Sequence, residues 1–121
     1  IVSPDANPEV IAATRAAGMD SYPGVFTATE AFAALRAGAT GLKLFPASLI
    51  GPSGLKALRA VLPAGCPVYA VSGVGPGDFA AWRAAGVTGF GLGGALYSPG
   101  MTADEVGRRA RAAVAAREAP A

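Results

Sequence analysis

The sequence predicts an α/β protein in which a parallel sheet is assembled from repeated strand–helix units. Three observations carry this prediction. Short apolar segments alternate with amphipathic ones along the chain. Three amphipathic segments close almost identically, at Arg15-Ala16-Ala17-Gly18, Arg36-Ala37-Gly38 and Arg83-Ala84-Ala85-Gly86. Each pairs a cation in the last helical turn with a glycine where the backbone turns left-handed. Within a few residues of each glycine the next apolar segment begins.

The elements follow in order. Residues 1–3 read as a strand already under way, so the natural polypeptide is expected to extend upstream of Ile1. Asn7 before Pro8 is a helix cap followed by proline at the first helical position. Residues 21–25 form the next strand, and Thr27-Ala28-Thr29-Glu30 is a capping box. A strand over 41–45 leads to a helix that Ser53 is placed to cap, and a strand over 68–71 to one capped by Asp78. The last strand covers 89–92, and Thr102-Ala103-Asp104-Glu105 opens the final helix with a second capping box. Covered strands with little polarity, separated by helices, make βαβ units. Five units amount to about five-eighths of a (β/α)8 TIM barrel, which takes ~200 residues or more. Residues 1–121 are therefore expected to form one partial barrel domain, with a small open doubly wound sheet as the rival architecture.

Composition narrows the function classes. Hydrophobic residues make up 52% of the 121 and charged residues 15%, which excludes disorder. The 17 glycines and 10 prolines are dispersed, punctuating short elements. Much of the cationic excess behind the net charge of +2 sits at Arg108, Arg109 and Arg111, expected to be a solvated helix face. A nucleic-acid partner would call for a denser stripe with interleaved aromatics. No apolar run is long enough to span a bilayer, so no membrane partner is expected. Cys66 is the only cysteine, which rules out an intrachain disulfide and fits a cytoplasmic protein.

In parallel α/β proteins reactive groups gather at the C-terminal ends of strands. Histidine is absent, removing the usual general base and the commonest metal ligand. With one cysteine and no carboxylate inside a strand, a metal cluster is not expected, and histidine-dependent triads are excluded. What remains is Lys43 in Gly41-Leu42-Lys43-Leu44-Phe45-Pro46. The other lysine, Lys56, falls in a helix at an expected solvated position. The two-residue period turns Leu42 and Leu44 to one side and Lys43 and Phe45 to the other. If the leucines face the helices, Lys43 points into the barrel. A desolvated lysine favours its neutral amine, which attacks a ketone and forms an imine. A lysine paired with a buried carboxylate, or snorkelling to the surface, fits the position equally well. The second feature is a pair of glycine-rich strand ends, Val71-Ser72-Gly73-Val74-Gly75-Pro76-Gly77 and Gly91-Leu92-Gly93-Gly94. As the last two strands of a barrel they would occupy its usual phosphate region, though ligand-free tight turns read the same way.

On these residues the chain resembles the 2-keto-3-deoxy-6-phosphogluconate and 6-phosphogalactonate aldolases over essentially its whole length. Leu42-Lys43-Leu44-Phe45-Pro46 is similar to the family's Schiff-base segment. Val2-Ser3-Pro4 and Pro23-Gly24 resemble its fourth and fifth strand ends, and Ser72-Gly73-Val74 and Leu92-Gly93-Gly94 its seventh and eighth. The resemblance implies the C-terminal five βα units, strands 4–8, with the first three units absent. It implies that Lys43 forms the imine, that Phe45 and Pro46 line the pyruvate pocket, and that Val71, Ser72, Gly73, Gly93 and Gly94 meet the rest of the substrate. Pyruvate and glyceraldehyde 3-phosphate would be the products, with no metal and no cofactor, in a homotrimer. Thr27-Ala28-Thr29-Glu30-Ala31-Phe32 and Ala70-Val71 look closer to the galactonate branch, since the gluconate type more often has threonine where Val71 stands.

Three departures qualify the resemblance. Ser72 replaces the first of two glycines at the seventh strand end, and Gly94-Ala95 lacks the serine common at the eighth. The family's acid/base glutamate and its carboxylate-binding arginine belong to the three absent units. The 121 residues alone are therefore expected to be inactive, and unstable or oligomeric through exposed sheet edges. Turnover of the gluconate epimer and a noncatalytic phosphate-binding barrel piece are the competing readings.

Overall fold

The computed structural model describes residues 1–119. Four parallel strands stand in sequential order, β1 (Gly24–Val25), β2 (Leu42–Leu44), β3 (Val68–Val71) and β4 (Gly89–Gly91). The helices are α1 (Pro8–Ala16), α2 (Ala28–Arg36), α3 (Ala47–Arg59), α4 (Phe79–Ala84) and α5 (Ala103–Glu118), with a 3₁₀ turn at Pro76–Asp78. Because each strand pairs with its neighbour in sequence, the doubly wound order, which reverses midway, is not the arrangement found.

The core explains the layering. Leu42, Leu44, Val68 and Ala70 pack in one cluster with Ile11, Ala31, Leu55, Phe79 and Trp82 from the helices. Lys43, Tyr69 and Val71 alternate to the opposite face of the sheet and stay half-buried. Register sets them side by side: Lys43 lies opposite Tyr69, and Val71 opposite Gly91. The period-two reading of β2 is thus realised.

Helix termini follow the local chemistry. Asn7 Oδ1 accepts from the amides of Glu9 and Val10, and both capping boxes close. Gly18, Gly38 and Gly86 have φ of 72°, 97° and 92°, the left-handed exits their motifs called for. The Arg59 guanidinium donates to the carbonyls of Cys66 and Gly86, tying α3 to the loops that enter β3 and β4. Arg83 Nη1 donates to the carbonyls of Arg117 and Ala119, satisfying the end of α5.

Several expected elements change. Residues 1–3 pair with the chain at Tyr22 only through an isolated parallel bridge from Val2. No regular strand forms there, and because Pro23, on the side that pairs with β2, carries no N–H to extend that ladder backwards, the second strand contracts to Gly24–Val25. The strands expected over 41–45 and 89–92 each stop one residue early, at Leu44 and Gly91. Ser53 does not cap: within α3 the backbone leaves the helical conformation at Gly51, φ 69°, and resumes it at Pro52, so Ser53 already lies inside the second helical piece. Asp78 does not cap α4 with its side chain but accepts from the Gly75 amide at 3.0 Å, closing the 3₁₀ turn.

Candidate active site

The C-terminal ends of β2, β3 and β4 lie side by side and carry every residue the sequence singled out as a site residue. Lys43 is half-buried on the face away from the helices, and its Nζ lies 4.3 Å from the centre of the Phe45 ring. That separation is within cation–π range. Among the described residues Lys43 forms no ion pair. The Lys43 amide donates to the Pro23 carbonyl at 2.9 Å, so the strand below the side chain is fixed. Phe45 and Pro46, joined by a cis peptide, then turn the chain into α3.

Beyond β3 and β4 the backbone forms a hollow of about 540 Å³. Val71, Ser72 and Gly73 line one side, and Gly93, Gly94 and Ala95 another. The structure therefore gathers five of the expected substrate-binding residues around one cavity, while Lys43, Phe45 and Pro46 are not part of its wall. Ser72 has φ 80° and Gly73 φ 67°, two left-handed residues in succession. For serine this conformation costs about 1–3 kcal/mol and persists only where its surroundings impose it. Runs of backbone amides in such turns form concavities suited to anions.

A second, apolar hollow of about 370 Å³ shares Val71 and Gly91 with the first and is completed by Val2, Tyr22, Tyr69 and Phe90. Tyr22 and Tyr69 meet edge to face, ring centres 5.4 Å apart. Desolvation, with Asp20 and Tyr69 nearby, pushes the Tyr22 phenol above its usual value of 10.0. Sequence reasoning passed over both tyrosines. The signal was present: Tyr69 has the parity of Val71, which puts it on the face that carries Lys43.

Arg109 is exposed, as expected, and also reaches back from α5 to the carbonyls of Gly94 and Ala95, 3.4 Å from each. Arg108 and Arg111 are exposed, as expected. Cys66 is buried away from the cavity walls, and burial pushes its thiol above 9.0, as befits an inert packing residue. No helix among the described residues is long and apolar enough to cross a membrane.

This arrangement has close counterparts. A probable 2-dehydro-3-deoxy-6-phosphogalactonate aldolase of Rhizobium meliloti strain 1021 is 53% identical over 119 residues, covering 98% of this chain and 56% of the relative. The 2-dehydro-3-deoxy-6-phosphogalactonate aldolase of Escherichia coli K12 is 49% identical over 120 residues, covering 98% of this chain and 58% of its own. The chain thus spans a little over half the length of these curated relatives. A solved structure of native KDPGal superposes with a TM-score of 0.94 at 48% identity, over 96% of this chain and 56% of that one. Residues 1–105 match the sequence model of the aldolases described as KDPG and KHG aldolase. By this match over most of its length and its identity to both relatives, the chain belongs to the KDPG and KHG aldolase family.

Proposed function

We propose that these residues are strands 4–8 of a (β/α)8 barrel whose full-length protein is a class I aldolase, a metal-independent carbon–carbon lyase. Its substrate would be 2-keto-3-deoxy-6-phosphogalactonate, cleaved to pyruvate and glyceraldehyde 3-phosphate. The observation that carries the reading is Lys43, half-buried on the sheet face away from the helices, beside Phe45 and, among the described residues, in no ion pair. The sequential strand order, with one face covered by helices, supports the barrel assignment.

The neutral Lys43 amine attacks the keto carbon C2, and the carbinolamine loses water to give an imine. Once protonated, the imine draws in the C3–C4 bonding pair as the C4 hydroxyl gives up its proton. Glyceraldehyde 3-phosphate leaves, and an enamine remains on Lys43. Protonation at C3 and hydrolysis release pyruvate and regenerate the amine. Phe45 and Pro46 line the pyruvate end, and the amides around Ser72, Gly73, Gly93 and Gly94 receive the phosphate. The proton carrier is assigned to the family glutamate in units 1–3, together with the arginine that binds the substrate carboxylate. The 121 residues by themselves would then hold the nucleophile without its acid/base partner and be inactive.

Val71 favours the galactonate epimer, because its methyl groups offer no hydrogen bond where a threonine would; the names of the two relatives point the same way. A soluble cytoplasmic homotrimer is the accompanying expectation. Borohydride reduction in the presence of pyruvate should add the pyruvate-derived mass to Lys43 and to no other residue. Absence of that adduct sinks the mechanism, and faster turnover of the gluconate epimer would reassign the substrate.

A further inference from the structure

We infer that Ser48, in the first turn of α3, is a positioning residue that holds the Ser72–Gly73 turn in its anion-binding shape. The inference rests on the phosphate-site reading above and adds a residue outside the cavity wall. Two contacts support it. The Ser48 amide donates to the Ser72 carbonyl at 3.1 Å. In a trans peptide the carbonyl and the following N–H point in opposite directions. Fixing the Ser72 carbonyl on α3 therefore aims the Gly73 N–H away from Ser48. Ser72 and Gly73 line the cavity and Ser48 does not.

The second contact is steric. A methyl group placed on Gly73 would fall 2.5 Å from Ser48 Cβ and 2.8 Å from its Oγ, so the serine side chain closes the back of the turn and leaves room only for hydrogen. Amide and side chain together supply the surroundings that keep Ser72 at φ 80° and Gly73 at φ 67°. Ser48 also stands five residues after Lys43, on the helix that follows the lysine strand directly. The clamp therefore fixes the spacing between the imine-forming end of the site and its phosphate end.

The test uses steady-state kinetics of the full-length protein. Ser48→Val adds a branch at the contact with Gly73, and Ser48→Gly removes the side chain while keeping the amide. Each should raise KM for the phosphorylated substrate about tenfold, the scale of one lost hydrogen bond to a charged group. The kcat should stay within about twofold, because displacing the phosphate loop leaves the lysine untouched. Borohydride trapping with pyruvate, which has no phosphate, should be unchanged. Ser48→Ala keeps amide and Cβ and should restore the original KM. Wild-type KM in both Ser48→Val and Ser48→Gly overturns the clamp if Gly73→Asp still raises KM. Wild-type KM in Gly73→Asp overturns the phosphate-site reading itself, and the clamp with it. A fall in trapping parallel to the rise in KM would also overturn it, as the sign of general damage to the fold.

Discussion

The ends of β2 and β3 are neighbours in one sheet, yet the proposed function uses them in opposite ways. At β2 the proposed working group is a side chain. Lys43 depends on its strand for direction and on Phe45 for company, and its own backbone is ordinary β. At β3 the working group is the backbone. Ser72 and Gly73 adopt left-handed angles, and their side chains matter chiefly by being small. In the proposed function a nucleophile needs a specific atom, so no substitute for lysine is expected to serve at β2. A proposed anion cradle needs a shape, which would let β3 carry serine where the family usually has glycine.

The largest break in this comparison should come from Lys43→Arg in the full-length protein. Guanidinium stays protonated and cannot form an imine, so aldol cleavage should fall by at least about 10³-fold, toward background. Cleavage assays with purified variant check this, and substantial residual turnover would move the nucleophile elsewhere. Gly73→Asp tests the other strand end. It puts a carboxylate beside the phosphate and a side chain into the space held by Ser48, so KM should rise more than about tenfold with pyruvate trapping retained. Parallel loss of trapping would mean that the two strand ends are not separable.

Leu44→Ala probes the covered face of the same strand that bears Lys43. Leu44 is 1% exposed within the core, and its truncation should cost about 2–5 kcal/mol of stability, read from denaturant midpoints. A neutral result would contradict the assignment of Leu44 to the helix-covered side. The smallest expected effect lies at the α2 cap, which follows β1. The Glu30 carboxylate accepts from the amides of Phe26 and Thr27, and these bonds hold it below its usual 4.5. A depressed carboxylate contributes stability above that value and loses it as pH falls through the folded-state value. Glu30→Gln should therefore be less stable than wild type near neutrality by about 0.3–1 kcal/mol, and the gap should close below pH 4.5. Chemical denaturation at several pH values measures it; a gap that widens in acid would reverse the sign.

How much was legible in advance differs by kind of signal. Asn7, the two capping boxes and the three glycine exits involve residues at most a few positions apart, and the structure realises each of them. Ser53 misled because the helix resumes at Pro52, directly after the left-handed Gly51, one residue before the expected cap. The strand expected at 1–3 shrank to an isolated bridge between Val2 and Tyr22, an outcome of pairing with a distant segment rather than of residues 1–3 alone.

The sequence by itself determined the parallel α/β architecture, the parity that separates Lys43 from its flanking leucines, and the glycine-rich ends that make a cavity. These follow from periodicity and from conformations that only certain residues adopt, which are local properties. Tertiary structure alone decided that Tyr22 and Tyr69 pack edge to face, that Arg109 reaches the Gly94–Ala95 turn, and that Ser48 backs Gly73. The members of each pair are 14 to 47 positions apart in the chain. No period or motif links residues at such separations; only the stacking of successive βα units brings them within contact.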